Sequence, residues 1–96
     1  MTTLDRLLEK REEILALAAR YKADHVRIFG SVARGDADDG SDVDLLVHFQ
    51  PGASLFDLMD LKEASEALLH VPVDVVSDRG LSPYMKESIL RDAVEL

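Results

Sequence analysis

A chain of 96 residues, 47% hydrophobic and 31% charged, is expected to be one domain over residues 1–96, folding on a modest core. It has no cysteine, which excludes disulfides and thiolate metal sites, and nothing points outside the cytosol. The formal net charge of −8 argues against tight non-specific nucleic-acid binding, which needs Lys and Arg on the phosphates; it favours a basic partner or a site that gathers cations. No run is long and apolar enough to span a bilayer, and the polar start MTTLDRLLEKREE does not read as a signal peptide.

In residues 2–21, Leu4, Leu7, Leu8, Ile14, Leu15 and Ala18 recur at helical spacing, and Thr2 with Asp5 reads as a capping pair. One amphipathic helix is expected there. Residues 25–29 form a short β-prone run ended by Gly30. A polar loop over 31–40 follows, with one helical turn around Ser31 to Arg34. Residues 41–49 alternate as a strand: Val43, Leu45, Val47 and Phe49 fall on one face, and Asp42, Asp44, Leu46 and His48 on the other. After the Gln50-Pro51-Gly52 turn, Ser54 and Asp57 cap a helix whose buried side is Leu58, Leu61, Ala64, Leu68 and Leu69.

Residues 72–77 are a third strand, with Val73 and Val75 on one face and Asp74 and Val76 on the other. Asp78-Arg79-Gly80 turns the chain, and Ser82-Pro83 opens a last helix running to about Val94, with Met85, Ile89, Leu90 and Ala93 inward. The order helix, strand, strand, helix, strand, helix packs most economically as an α+β domain, a small sheet backed by helices.

The chemistry concentrates in residues 30–47, GSVARGDADDGSDVDLLV, where Asp36, Asp38, Asp39, Asp42 and Asp44 crowd together. Close carboxylates raise one another's pKa unless a cation offsets them. Asp42 and Asp44, two apart on a strand, leave the same face about 6.5–7 Å apart at the backbone. That spacing suits magnesium, which takes one or two carboxylates plus substrate phosphates. Exposed strands also carry alternating acids, so this pair alone is as well explained by a solvated face. Gly30 lets backbone approach a ligand, and Ser31 offers a hydroxyl and an N–H at a helix start. Arg34 is placed to meet phosphate. Asp74, an acid in an apolar run, joins the pair if its strand is the neighbour.

Two other motifs fail. Gly30 and Gly35 have P-loop spacing, but Asp36 and Ala37 stand where Lys and Ser/Thr belong. An EF-hand beginning at Asp36 would need glycine at Ser41 and glutamate at Val47.

GSVARGDADDGSDVDLLV, followed some thirty residues later by VPVDVVS, resembles the signature of the nucleotidyltransferase superfamily that shares its fold with DNA polymerase β. The small size is similar to the minimal (MNT) branch, often encoded beside a HEPN-domain protein. The motif and its flanks cover roughly the middle half of the chain.

The resemblance implies a small mixed sheet backed by helices in the polymerase β-like arrangement. It implies that Gly30 and Ser31 hold nucleotide phosphates, with Arg34 also matching the motif. Asp42 and Asp44 would ligate two Mg2+ ions bridging the triphosphate. Asp74 would ligate the second ion and help activate an acceptor hydroxyl. ATP is the implied substrate, a HEPN ribonuclease toxin the implied acceptor through a tyrosine, and a cytoplasmic hetero-oligomer without nucleic acid or membrane the implied setting. The chain would then be the antitoxin. An antitoxin that acts by binding alone, and a small-molecule nucleotidyltransferase of the antibiotic type, stay open beside this reading. Lys86, Arg91 and His48 read as solvated or partly exposed side chains, and His25 and His70 carry no signal.

Overall fold

The computed structural model of the chain describes residues 3–35 and 42–96. Helices α1 (Thr3–Glu9) and α2 (Arg11–Arg20) lead into strand β1 (Ala23–Phe29) and the short helix α3 (Gly30–Arg34). Strand β2 (Val43–Phe49), helix α4 (Leu55–Leu69), strand β3 (Val73–Ser77), helix α5 (Pro83–Asp92) and strand β4 (Val94–Glu95) follow, with a 3-10 turn at Asp78–Gly80. The strands form one mixed sheet in the order β3-β2-β1-β4. β1 pairs antiparallel with β2 and β4, and β2 pairs parallel with β3. The α+β architecture expected from the sequence is the one found.

Alternation decides which way each strand faces. Val43, Leu45 and Val47 are fully buried and Phe49 nearly so, and the register sets Ile28, Leu45 and Val75 side by side on that face. α2 and α4 pack against the sheet and each other, and Leu7, Ile14, Ala18 and Leu61 complete the core. A one-residue slip of β2 would turn Val43, Leu45, Val47 and Phe49 away from this core, so burial fixes the register.

Local rules hold at the helix starts. Ser54 and Asp57 form the expected capping box, with the Ser54 N–H donating to Asp57 Oδ2 at 2.9 Å. The Ser82 hydroxyl accepts from the Met85 N–H at 3.3 Å, and Pro83 occupies the first turn of α5.

Four expectations need correction. The first helix is two helices, because Lys10 leaves helical dihedrals (φ −98°, ψ 15°). The break lets Thr3 and Leu7 of α1 and Ile14 and Ala18 of α2 all reach the core, while Leu8 is left 45% exposed. Leu46, assigned to the polar face, is fully buried, so that face is covered beyond Asp44. In α4 the buried pair is Leu61 and Ser65, with Leu58, Leu68 and Leu69 only partly covered.

The last correction is the largest. No residue of α5 is buried: Met85 and Leu90 are exposed, and the helix stops at Asp92. Ala93 turns to extended backbone, and Val94–Glu95 pairs with β1, with the Leu96 N–H donating to the Val26 carbonyl. Backbone pairing on the open edge of β1 outweighs two more residues of helix. The Thr2 cap, and the start of the second strand at Ser41, lie outside the described residues.

The contrast between α4 and α5 is measurable. Leu61→Ala should destabilise by about 2–5 kcal/mol, as truncations in a packed core do. Leu90→Ala should cost less than about 1 kcal/mol, as a largely solvated position does. Urea unfolding of both variants checks this, and equal losses would place α5 in the core.

Candidate active site

Phe29 ends β1 in extended backbone, and Gly30 begins α3 at φ +77°, a conformation glycine takes without strain. The register pairs Phe29 with Asp44, so the α3 start lies beside the Asp44 side chain. A Cβ at residue 30 would collide with Asp44 Oδ2 and stand 3.4 Å from its Cγ. On this side the space left by the missing side chain is taken up by the Asp44 carboxylate. Ser31 follows in the first turn of α3, where backbone N–H groups lack helical partners.

Pairing of β2 with β3 sets Asp44 directly beside Asp74, and Val43 beside Val73. The neighbouring-strand condition for the third acid is met. Asp42 stands two residues before Asp44, just ahead of the strand, and both Asp42 and Asp74 are exposed. The remaining acids of the motif, Asp36, Asp38 and Asp39, lie outside the described residues. Asp44 is partly buried, and burial together with the charges of Asp74 and Asp42 raises its pKa above the ordinary 3.8; the Arg34 charge pulls it down. Arg34 also stands 4.0 Å from Asp92 of α5.

Two residues of the neighbourhood escaped the sequence reading. Lys62 Nζ donates to Glu66 Oε2 at 2.9 Å, and the same oxygen accepts the Val73 N–H at 3.0 Å. These bonds lower the Glu66 pKa, and the Glu66 bond, with the charges of Asp74 and Asp42 adding to it, raises that of Lys62. A cation is thereby tied to the strand residue that precedes Asp74. The Lys-x-x-x-Glu spacing was visible in the sequence, but its approach to the acids was not. Lys86 and Arg91 are exposed on α5, as expected. His48 is turned to a different partner: its Nδ1 lies 3.1 Å from Asp78 Oδ2, with His25 edge-on at 6.1 Å.

Among the described residues, no three carboxylate or imidazole groups close into a cage of metal ligands. What is present is an open acidic surface, with one partly buried carboxylate between two exposed ones. That donor set fits a hard cation that keeps waters and takes further oxygens from a phosphate substrate. The raised Asp44 pKa reflects burial first and repulsion from Asp74 and Asp42 second, and a bound cation would offset both.

Residues 8–96 match the family model described as a nucleotidyltransferase domain. The chain belongs to this family. It is 38% identical over 92 residues to the protein adenylyltransferase MntA of Thermococcus cleftensis, covering 91% of this chain and 93% of the relative. A solved structure provisionally titled a minimal nucleotidyltransferase is 52% identical, with a TM-score of 0.89 over 100% of this chain and 97% of that one. A chain of a toxin–antitoxin crystal structure with AMP-PNP shares the fold at 21% identity, with a TM-score of 0.75 over 88% of this chain and 69% of that one.

Two outcomes test this arrangement. A group whose folded pKa is raised works against folding when ionised; the penalty is complete above the folded pKa and fades as pH falls through it toward the unfolded value. Asp44→Asn should therefore stabilise the metal-free protein near neutral pH, and the gain should vanish in acid. Urea unfolding across pH reads this, and a gain that persists in acid would assign it to something other than charge. Gly30→Ala should cost at least about 1–2 kcal/mol from its left-handed backbone alone. Because the new methyl also displaces Asp44, the Asp44 carboxyl pKa followed by NMR should move back toward its ordinary value.

Proposed function

We propose that this chain transfers AMP from ATP to a hydroxyl, and that the hydroxyl is a tyrosine of a HEPN-domain ribonuclease toxin encoded beside it. The chain would then be the antitoxin of the pair. The observation that carries the reading is the register that sets Asp44 beside Asp74 with Asp42 two residues away, in a chain 38% identical to a protein adenylyltransferase. The toxin–antitoxin complex that shares its fold supports a toxin as partner, and AMP-PNP in that complex supports ATP as donor. The net charge of −8 suits a basic, RNA-binding protein as the acceptor.

In this reading Asp42 and Asp44 hold magnesium, and Asp74 completes the site for a second ion. Magnesium, when bound, neutralises the triphosphate and favours loss of the acceptor proton. Gly30 and Ser31 present backbone N–H groups and a hydroxyl to the phosphates. Arg34, whose charge already acts on Asp44, supplies a further cation on that side. Asp74 faces the acceptor and orients its hydroxyl. The acceptor oxygen forms its bond to the α-phosphorus as the bond to pyrophosphate breaks, and the hydroxyl proton leaves to solvent. With ATP as donor, the cytosol is the proposed setting of the reaction.

Incubation with α-labelled ATP and magnesium, with and without the protein encoded by the adjacent gene, tests the proposal. Label should appear on the partner's tyrosine. With Asp42→Asn or Asp44→Asn it should fall by more than the roughly 10–100-fold that loss of an outer metal contact costs. A partner that is bound and silenced without label would instead favour an antitoxin acting by binding alone.

A further inference from the structure

The outward side of α4 is not that of a solvated helix. Leu55, Phe56 and Met59 are 69%, 76% and 48% exposed, although the helix already buries Leu61 and Ser65 inward. Met59 lies three residues from Phe56 and four from Leu55, so the three side chains form one patch on the first turn and a half. An amphipathic surface helix would carry polar residues there. Contiguous exposed apolar side chains with a polar rim mark interaction sites. Here the rim along the helix is acidic, since exposed Asp60 and Glu63 follow Phe56 at i+4 and i+7, with the cation Arg79 beside Leu55 at the helix start.

The patch also runs toward the acids. Lys62 follows Met59 by three residues, and through Glu66 it is tied to Val73, the neighbour of Asp74. From Phe56 to Lys62 the helix rises only about 9 Å. The first turn of α4 itself lies beside Ser77 and Arg79, at the other end of β3 from Asp74, so a protein seated there reaches the cluster by extending along the helix past Lys62.

We propose that this exposed edge of α4 is the surface on which the acceptor protein docks, through an apolar patch of its own bordered by basic side chains. The proposal rests on the protein-acceptor reading above. A second copy of this chain fits less well, because α4 against α4 brings Asp60 and Glu63 of two chains, each of net charge −8, into one interface. A small-molecule acceptor fits less well again, since such ligands bind in concave pockets and not on a protruding helix edge.

The test is the double variant Phe56→Glu/Met59→Glu, whose folding circular dichroism verifies and which the exposure of both side chains should leave intact. Binding to the protein encoded by the adjacent gene, binding of magnesium-ATP, and the rate of AMP transfer are compared with wild type. The partner Kd and the KM for the partner should rise at least about tenfold, as when hot-spot side chains are lost. ATP affinity should stay within about twofold. Charge reversal with Asp60→Lys/Glu63→Lys should slow association and flatten its salt dependence. Unchanged partner affinity in the double variant overturns the proposal, and so does a wild-type chain that does not bind the partner. A wild-type dimer that becomes a monomer in the variant, with partner binding intact, would assign the patch to self-association and overturn it as well. If wild type binds the partner and the variant does not, yet neither transfers AMP, the docking surface stands and the adenylylation reading fails.

Discussion

Burial of Val43, Leu45, Val73 and Val75 holds acidic side chains together against their own repulsion. Asp44 and Asp74 are each flanked along the strand by buried apolar residues and sit side by side across the parallel pair. Left to electrostatics, neither the partly buried Asp44 nor its acidic neighbours would choose that arrangement, and the raised Asp44 pKa records the cost. Slipping the strands to relieve it would expose the core, and each large apolar side chain brought out would cost about 1.5–3 kcal/mol. The core, and not any polar contact within the cluster, is what fixes the geometry.

The surroundings of the cluster fit this division of labour. Gly30 yields its side-chain space to the Asp44 carboxylate, so the α3 backbone and the acid come into contact. Arg34 acts on the cluster from α3 and Lys62 from α4, two of the chain's 11 Lys and Arg side chains. Both remain substantially exposed, so each contributes direction more than stability. An acidic edge between two movable cations is suited to a substrate that brings phosphates and metal together. This is the character of the nucleotidyltransferase family to which the chain belongs.

Helix α4 links core and function. Its inward side closes the sheet, its middle holds Lys62 and Glu66 against the start of β3, and its first turns leave apolar side chains in water. Helix α5, with no buried residue, contacts α3 and β1 and brings Asp92 to 4.0 Å from Arg34. The best-buried part of the molecule is thus the part that carries Asp44 and Asp74.

Period-two alternation by itself determined β2, β3 and the face on which Asp44 lies, because one side of a sheet must be apolar to form a core, while β1 was legible from its β-prone residues before Gly30. Capping chemistry determined where α4 and α5 begin, since Ser54 with Asp57 and Ser82 with Pro83 act within one turn of chain. The composite motif determined the family and named its candidate residues. Tertiary structure alone decided that Asp74 adjoins Asp44, that Gly30 makes room for that acid, and that Lys62 approaches the cluster. It also decided the break at Lys10, the burial of Leu46 and the short β4. Each of these depends on which surfaces meet in space, through contacts between residues distant in the chain, and local periodicity holds no record of that.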